Sequence, residues 1–194
     1  KSGHYHIYGK GLGSFFAKKN TTLNCGNSGT LFRLLVGILS TTPNINLKIT
    51  GDRSLKKRNM SNLINLMNKF GANFQKKSYL PISMVSSSMP LGINYKAGVS
   101  AQLKSAVILA GLNSYGTTTI EEIKKNQSRN HTENLLQESQ GVLRVKKDKI
   151  KVFGKKSLEP INLTVPGDPS SAAFFCAITL FNKNSNLKIK NICL

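Results

Sequence analysis

Three turns in this sequence place small polar residues directly before an apolar stretch of helical period. They are Cys25-Gly26-Asn27-Ser28-Gly29-Thr30, Gly98-Val99-Ser100-Ala101-Gln102 and Pro166-Gly167-Asp168-Pro169-Ser170-Ser171. The first N–H groups of a helix have no partner within it and lie at the positive end of its dipole, so such turns suit anions. Capping by Ser, Asn or Asp explains any one of them on its own, whereas three such ends around one cleft would favour a ligand. Arg33 and Arg58 fall near helix starts, where a guanidinium can grip carboxylate or phosphate through two parallel N–H bonds. A further string, Ser128-Arg129-Asn130-His131-Thr132-Glu133, opens another helix. His131 and Glu133 are two residues apart and so point away from each other on a helix, which leaves capping by Asn130 or Thr132 as the simpler role for this string.

Other chemistries lack their residues. Gly9-Lys10-Gly11-Leu12-Gly13 is glycine-rich but precedes no helix, and no P-loop or full dinucleotide fingerprint is present. There is no nucleophile elbow, and His4 and His6 stand apart from any acidic cluster, so no metal site is expected. Cys25, Cys176 and Cys193 form no C-x-x-C pair. They read as buried reduced thiols, which points to a cytoplasmic setting. The longest apolar runs, 34–39 and 172–181, are shorter than the roughly 20 residues a membrane helix needs. The first residues carry neither Met nor the basic-then-apolar order of an export signal, and the start reads as an internal cut.

The formal net charge of +20 points first to nucleic acid. Yet 23 of the 28 cations are Lys, dispersed along the chain with 20 Asn. That is compositional enrichment rather than a basic patch. A nucleic-acid-binding module needs clustered cations interleaved with aromatics, and Trp is absent.

Elements that would position the turns repeat along the 194 residues. A helix over 27–39 carries Leu31, Leu34, Leu35 and Ile38 at helical spacing. A strand over 45–49 alternates with period two, a second helix spans about 60–70 with Gly71 at its C-cap, and strands follow at about 73–76 and 81–85. The order recurs with a helix from the 98–102 turn to Leu112, a strand at 117–121, a helix at 131–140 and strands at 142–147 and 149–153. A third copy opens at Pro166, runs through a helix to Phe181 and reaches a strand at 187–190. Gly29, Gln102 and Ser171 are spaced by 73 and 69 residues. The pattern predicts an α/β chain of repeated βαβαββ units, with a boundary near 164–166.

Five strings in register carry a family resemblance: residues 25–33, Gly51-Asp52-Arg53-Ser54-Leu55-Lys56-Lys57-Arg58, Ser100-Ala101-Gln102-Leu103-Lys104-Ser105-Ala106, residues 128–133, and Val165-Pro166-Gly167-Asp168-Pro169-Ser170-Ser171-Ala172. In order and spacing they resemble the enolpyruvyl transferase family, in the bacterial class II type that acts on shikimate 3-phosphate. The resemblance implies a fold of two lobes, each of three βαβαββ units. Residues 1–164 would be most of one lobe and 165–194 the start of a unit of the other, so that the chain is a central fragment, inactive by itself. It further implies transfer of the enolpyruvyl group of phosphoenolpyruvate to the 5-hydroxyl of shikimate 3-phosphate, with release of phosphate through a tetrahedral intermediate.

Carried over residue by residue, Asn27, Gly29, Arg58 and Gln102 are implied as phosphoenolpyruvate contacts. Ser100, Ala101, Gln102, Ser128 and Arg129 are implied as shikimate 3-phosphate contacts. Acidic catalytic residues would lie outside this stretch, and no cofactor or metal is implied. The partners would be the two small-molecule substrates, with no specific nucleic acid and no membrane, and the full-length protein a monomer. Asn59 stands where the family has Pro, Asn130 where class II members often have Asp, and Gly29 where some glyphosate-insensitive members carry Ala. Asp168 resembles a family position, and an N-cap role explains it as well. A sister transferase acting on a UDP-aminosugar would share the repeat.

Overall fold

The computed structural model describes residues 3–75, 78–123 and 128–192 and divides into two compact units, Lys1–Pro160 and Ile161–Leu194. The larger unit holds two copies of one pattern. The first is β1 (Thr22–Asn24), α1 (Gly29–Thr41), β2 (Asn46–Thr50), a short α2 (Arg53–Lys56), α3 (Ser61–Lys69), β3 (Asn73–Phe74) and β4 (Ile82–Val85). The second is β5 (Asn94–Ala97), α4 (Ala101–Leu112), β6 (Thr117–Glu122), α5 (His131–Gln137), β7 (Leu143–Lys146) and β8 (Lys149–Phe153). Their sheets run β1-β2-β4-β3 and β5-β6-β8-β7, each with its first pair parallel and the other two antiparallel. The repeat read from the sequence is therefore real at the level of topology.

Local chemistry explains the element ends. Ser28 and Ser100 cap α1 and α4 by accepting from Leu31 N (3.1 Å) and Leu103 N (3.4 Å). Asp52 caps α2, and Gly71, at φ +92, follows the end of α3 with its N–H on Asn68 O. Leu63, Ile64, Leu66 and Met67 of α3 are buried as the period requires. In α1 the inward stripe is instead Phe32, Val36 and Leu39, while Leu31 is 45% exposed. α1 is apolar around most of its circumference, so period alone does not choose its face. α4 is buried from Ala106 to Leu112 apart from Leu109, on all sides rather than along one. Removing a side chain such as fully buried Phe32 from water contributes about 1.5–3 kcal/mol.

α1 and α4 pack side by side at unusually short range. A Cβ placed on Gly37 would lie 2.6 Å from the Ala106 carbonyl oxygen and 2.9 Å from its Cα. At the far end of the pair, Asn113 Nδ2 donates to the Thr41 carbonyl and Asn113 Oδ1 accepts from Lys155 Nζ at 2.8 Å. The two helices are thus fixed in register, with their N-termini at the same end.

Four expectations need correction. The helix at 131 ends at Gln137 rather than Gln140: Ser139 N donates three residues back to Leu136 O at 3.1 Å, and Gly141, at φ +78, turns the chain out of the helix. β1 and β5 lead their units although period did not single them out. In the smaller unit, α6 (Pro169–Phe181) is capped by Asp168, which accepts from Ser170 N and Ser171 N, but 187–190 forms no strand, having no partner strand among the described residues. Only a single bridge joins Gly167 to Ile192. None of the α6 residues is buried. Lys76 of the expected 73–76 strand and Cys193 lie outside the described residues. Cys25 is a buried free thiol, pushed up by burial, whereas Cys176 is exposed, contrary to expectation.

The Gly37 contact predicts that Gly37→Ala in the full-length protein costs about 1–3 kcal/mol by overpacking against rigid backbone. A denaturant midpoint unchanged from the parent would contradict it.

Candidate active site

The shared end of α1 and α4 gathers most of the residues the sequence singled out. Arg33, one turn into α1, donates from Nη1 to Gln102 Oε1 at 2.8 Å and to Gly29 O at 3.2 Å. Gln102 Nε2 donates to Thr30 Oγ1 at 2.7 Å, so the two helix starts are joined in both directions. Arg58, just after α2, donates from Nη2 to Asn27 Oδ1 at 2.8 Å, and Asn27 Nδ2 donates to Asp52 Oδ2 at 2.7 Å. A Cβ on Gly29 would fall 2.8 Å from Arg33 Nη1 and 3.0 Å from Arg58 Nη1. The two guanidinium groups therefore converge on the one residue that offers no side chain.

Among the described residues the ion pairs are Lys104 with Glu122 and with Glu133, and Lys149 with Glu121. Arg33 and Arg58 are in none of them. Burial first, and then the charge of Arg58, pull the Arg33 guanidinium below its ordinary pKa. Two cations near two helix N-termini, neither in an ion pair with a described residue, form a site that an anion would stabilise. Asp52 is held below the usual carboxylate range chiefly by the Leu55 N–H, with help from Asn27 and the charge of Arg58. It orients Asn27 and, through it, Arg58.

Asn27, Gly29, Arg58 and Gln102 are thus one connected cluster. Ser100, Ala101 and Gln102 are consecutive at the start of α4, and Ser128 is joined to the same helix through its carbonyl, which accepts from Lys104 Nζ at 3.3 Å. Arg129 is exposed and makes no hydrogen bond or ion pair with any described residue. The expected capping at 130–132 is not made by side chains. Asn130 sits at the cap position without a side-chain bond, and Thr132 shares a 2.7 Å hydrogen bond with Ser105 Oγ. Glu133 is buried beside Lys104 and His131 is exposed, so the two do not act together.

Sequence reasoning did not give Thr30, Asp52 or Lys104 a role. Asp52 carried a signal, a capping residue directly before Arg53. Lys104 carried another, since at 104, 107, 108 and 111 it occupies the buried stripe of its helix.

Paired βαβαββ units whose helix starts converge on arginines define the enolpyruvyl transferase fold. The sequence profile of the EPSP synthase family (3-phosphoshikimate 1-carboxyvinyltransferase) matches residues 3–194, and the chain belongs to that family. The 3-phosphoshikimate 1-carboxyvinyltransferase of Novosphingobium aromaticivorans is 39% identical over 99% of this chain and 44% of its own length. That of Bacillus subtilis is 38% identical over 97% of this chain and 44% of its own. A solved EPSP synthase from Acinetobacter baumannii superposes with a TM-score of 0.72 at 36% identity, covering 84% of this chain and 37% of that one. The chain therefore spans less than half the length of the relatives it matches. No helix among the described residues is long and apolar enough to cross a membrane, and no group of three or more His, Cys, Asp or Glu could hold a metal.

Two outcomes follow. Gly29→Ala displaces the flexible ends of Arg33 and Arg58 rather than backbone, so anion affinity should fall while the denaturant midpoint stays near the parent; unchanged affinity for inorganic phosphate in the full-length protein would refute this. Because the folded pKa of Asp52 is depressed, its contribution to stability is complete above the ordinary value of 3.8 and is lost as pH falls through the lower folded value. The stability difference between the parent and Asp52→Ala should therefore shrink in acid, and a difference independent of pH would contradict it.

Proposed function

We propose that this chain is the central part of a 3-phosphoshikimate 1-carboxyvinyltransferase that moves the enolpyruvyl group of phosphoenolpyruvate to the 5-hydroxyl of shikimate 3-phosphate. The 5-hydroxyl gives up its proton and its oxygen bonds to C2 of phosphoenolpyruvate while the methylene carbon takes a proton to become a methyl group, giving a tetrahedral intermediate. Loss of phosphate and of a proton from that methyl group then restores the double bond. The observation that carries the reading is the Arg33 and Arg58 pair at Gly29, outside any ion pair with a described residue and tied to Gln102.

In this reading Asn27, Gly29, Arg58 and Gln102 hold phosphoenolpyruvate. Gly29 lets the ligand approach the α1 backbone, Arg58 grips its charge, and Asn27 orients Arg58. Arg33 adds to the field and fixes Gln102 between the substrates. Ser100, Ala101, Gln102, Ser128 and Arg129 hold shikimate 3-phosphate, and the α4 N-terminus favours its anionic groups. Preformed N–H donors and cations of this kind stabilise charge as it develops on the departing phosphate. The acid and base that move the protons belong to the rest of the protein. Residues 1–164 are most of one lobe and 165–194 begin a unit of the other. The protein works in the cytoplasm as a monomer on these two small molecules, without nucleic acid or membrane.

Labelled phosphoenolpyruvate supplied to the full-length protein should transfer its label to shikimate 3-phosphate with release of phosphate. Transfer only to a UDP-aminosugar, or none, would overturn the reading. Arg58→Ala removes a charged hydrogen-bond donor worth about 1.5–3 kcal/mol, so the KM for phosphoenolpyruvate should rise by about 10- to 100-fold. A KM unchanged from the parent would remove Arg58 from the site.

A further inference from the structure

A second polar cluster lies one helical turn behind Ser100, Ala101 and Gln102. Lys104 of α4 has no exposed side-chain surface, and its Nζ donates to Glu122 Oε1 at the end of β6 at 2.8 Å. The same Nζ is 2.5 Å from Glu133 Oε1 in the first turn of α5, and donates to the Ser128 carbonyl at 3.3 Å. Glu122 Oε1 in turn accepts from Ser128 N at 3.4 Å and from Ser128 Oγ at 3.5 Å. Ser105 and Thr132 add a hydroxyl pair between α4 and α5. One buried cation therefore joins α4, the end of β6, Ser128 and α5.

Stability alone does not call for this arrangement. Three charges taken from water are costly, and well-packed apolar side chains of similar volume often fill such a space at least as well. The neighbours on the same buried stripe, Val107 and Ile108, are apolar. Burial pulls the Lys104 ammonium down, but the hydrogen bonds to Glu122 and Glu133 outweigh it, and the group stays charged. What the ions add over an apolar filling is direction: both the carbonyl and the N–H of Ser128 are held, one by the lysine and one by its carboxylate partner.

We propose that Lys104 is a positioning residue which, with Glu122 and Glu133, clamps the Ser128–Arg129 segment at a fixed distance from the start of α4 and so sets the spacing of the shikimate 3-phosphate contacts. This rests on the proposed function, since the two clamped segments are its shikimate 3-phosphate contacts. Lys104 touches no substrate, because its side chain is wholly enclosed.

The test uses the full-length protein and a variant from which all three charges are removed, Lys104→Met with Glu122→Gln and Glu133→Gln, so that no uncompensated charge is left buried. Thermal melting reports folding, calorimetry reports shikimate 3-phosphate affinity, and steady-state kinetics report the KM for phosphoenolpyruvate. The expected result is a folded variant whose affinity for shikimate 3-phosphate falls by about tenfold or more, while the phosphoenolpyruvate KM moves by less than about threefold. Affinity kept within about twofold, or equal losses for both substrates, overturns the clamp. Should the triple variant not fold, Glu122→Gln alone keeps the Lys104–Glu133 pair and weakens the hold on Ser128. The same selective loss, smaller in size, is expected from it, and unchanged binding overturns the proposal. A parent protein that binds no shikimate 3-phosphate overturns the functional reading and the clamp together, whereas a parent that binds it with variants unimpaired overturns the clamp alone.

Discussion

The close contact of α1 with α4 is the constraint on which the site depends. Gly37 lets the Ala106 backbone approach to a distance that any side chain would forbid, and the Asn113 bond to the Thr41 carbonyl fixes the other end of the pair. With the helix bodies locked, their N-termini emerge together. The hydrogen bonds of Arg33 to Gln102 and of Gln102 to Thr30 then become geometrically possible. A wider pair would leave two separate capped helix ends. Each would favour anions weakly, and neither would surround one.

Electrostatics completes what packing begins. Of the 28 cations in the sequence, the field that matters comes from Arg33 and Arg58. Burial and then repulsion by Arg58 lower the Arg33 pKa, a cost that an anion would relieve. Asp52 stands at the edge of this group, where it fixes Asn27 rather than neutralising either arginine. The second cluster, around Lys104, has the opposite character, with two carboxylates around one enclosed ammonium. The arginines are outside any ion pair with a described residue, whereas the enclosed lysine holds protein to protein.

Much of this was legible in the sequence, for identifiable reasons. The βαβαββ repeat of the larger unit was readable because turn chemistry and period recur 73 residues apart, from Gly29 to Gln102, and because the buried stripe of α3 is narrow. Two things were not. α1 and α4 are apolar around most of their surface, so their facing was set by tertiary contacts such as Gly37 on Ala106 rather than by period. The strand expected at 187–190 has the right residues but no partner strand among the described residues, and a strand without an edge to join has nowhere to place its backbone hydrogen bonds. Within the site, the glycine and the arginines announced themselves by type. Gln102 as a bridge and Lys104 as an enclosed ion could be understood only after the helices were seen side by side.

The central claim is that the starts of α1 and α4 form one anion site rather than two. A double-mutant cycle on phosphoenolpyruvate affinity in the full-length protein, using Arg58→Ala and Gln102→Ala, tests it most directly. These residues sit on different repeats, and Arg33, which donates to Gln102, converges with Arg58 on Gly29. One site predicts that the two losses are coupled by about 0.5–3 kcal/mol, as for residues in a common network. Losses that simply add, within about 0.5 kcal/mol, would mean two independent helix ends and would contradict the account.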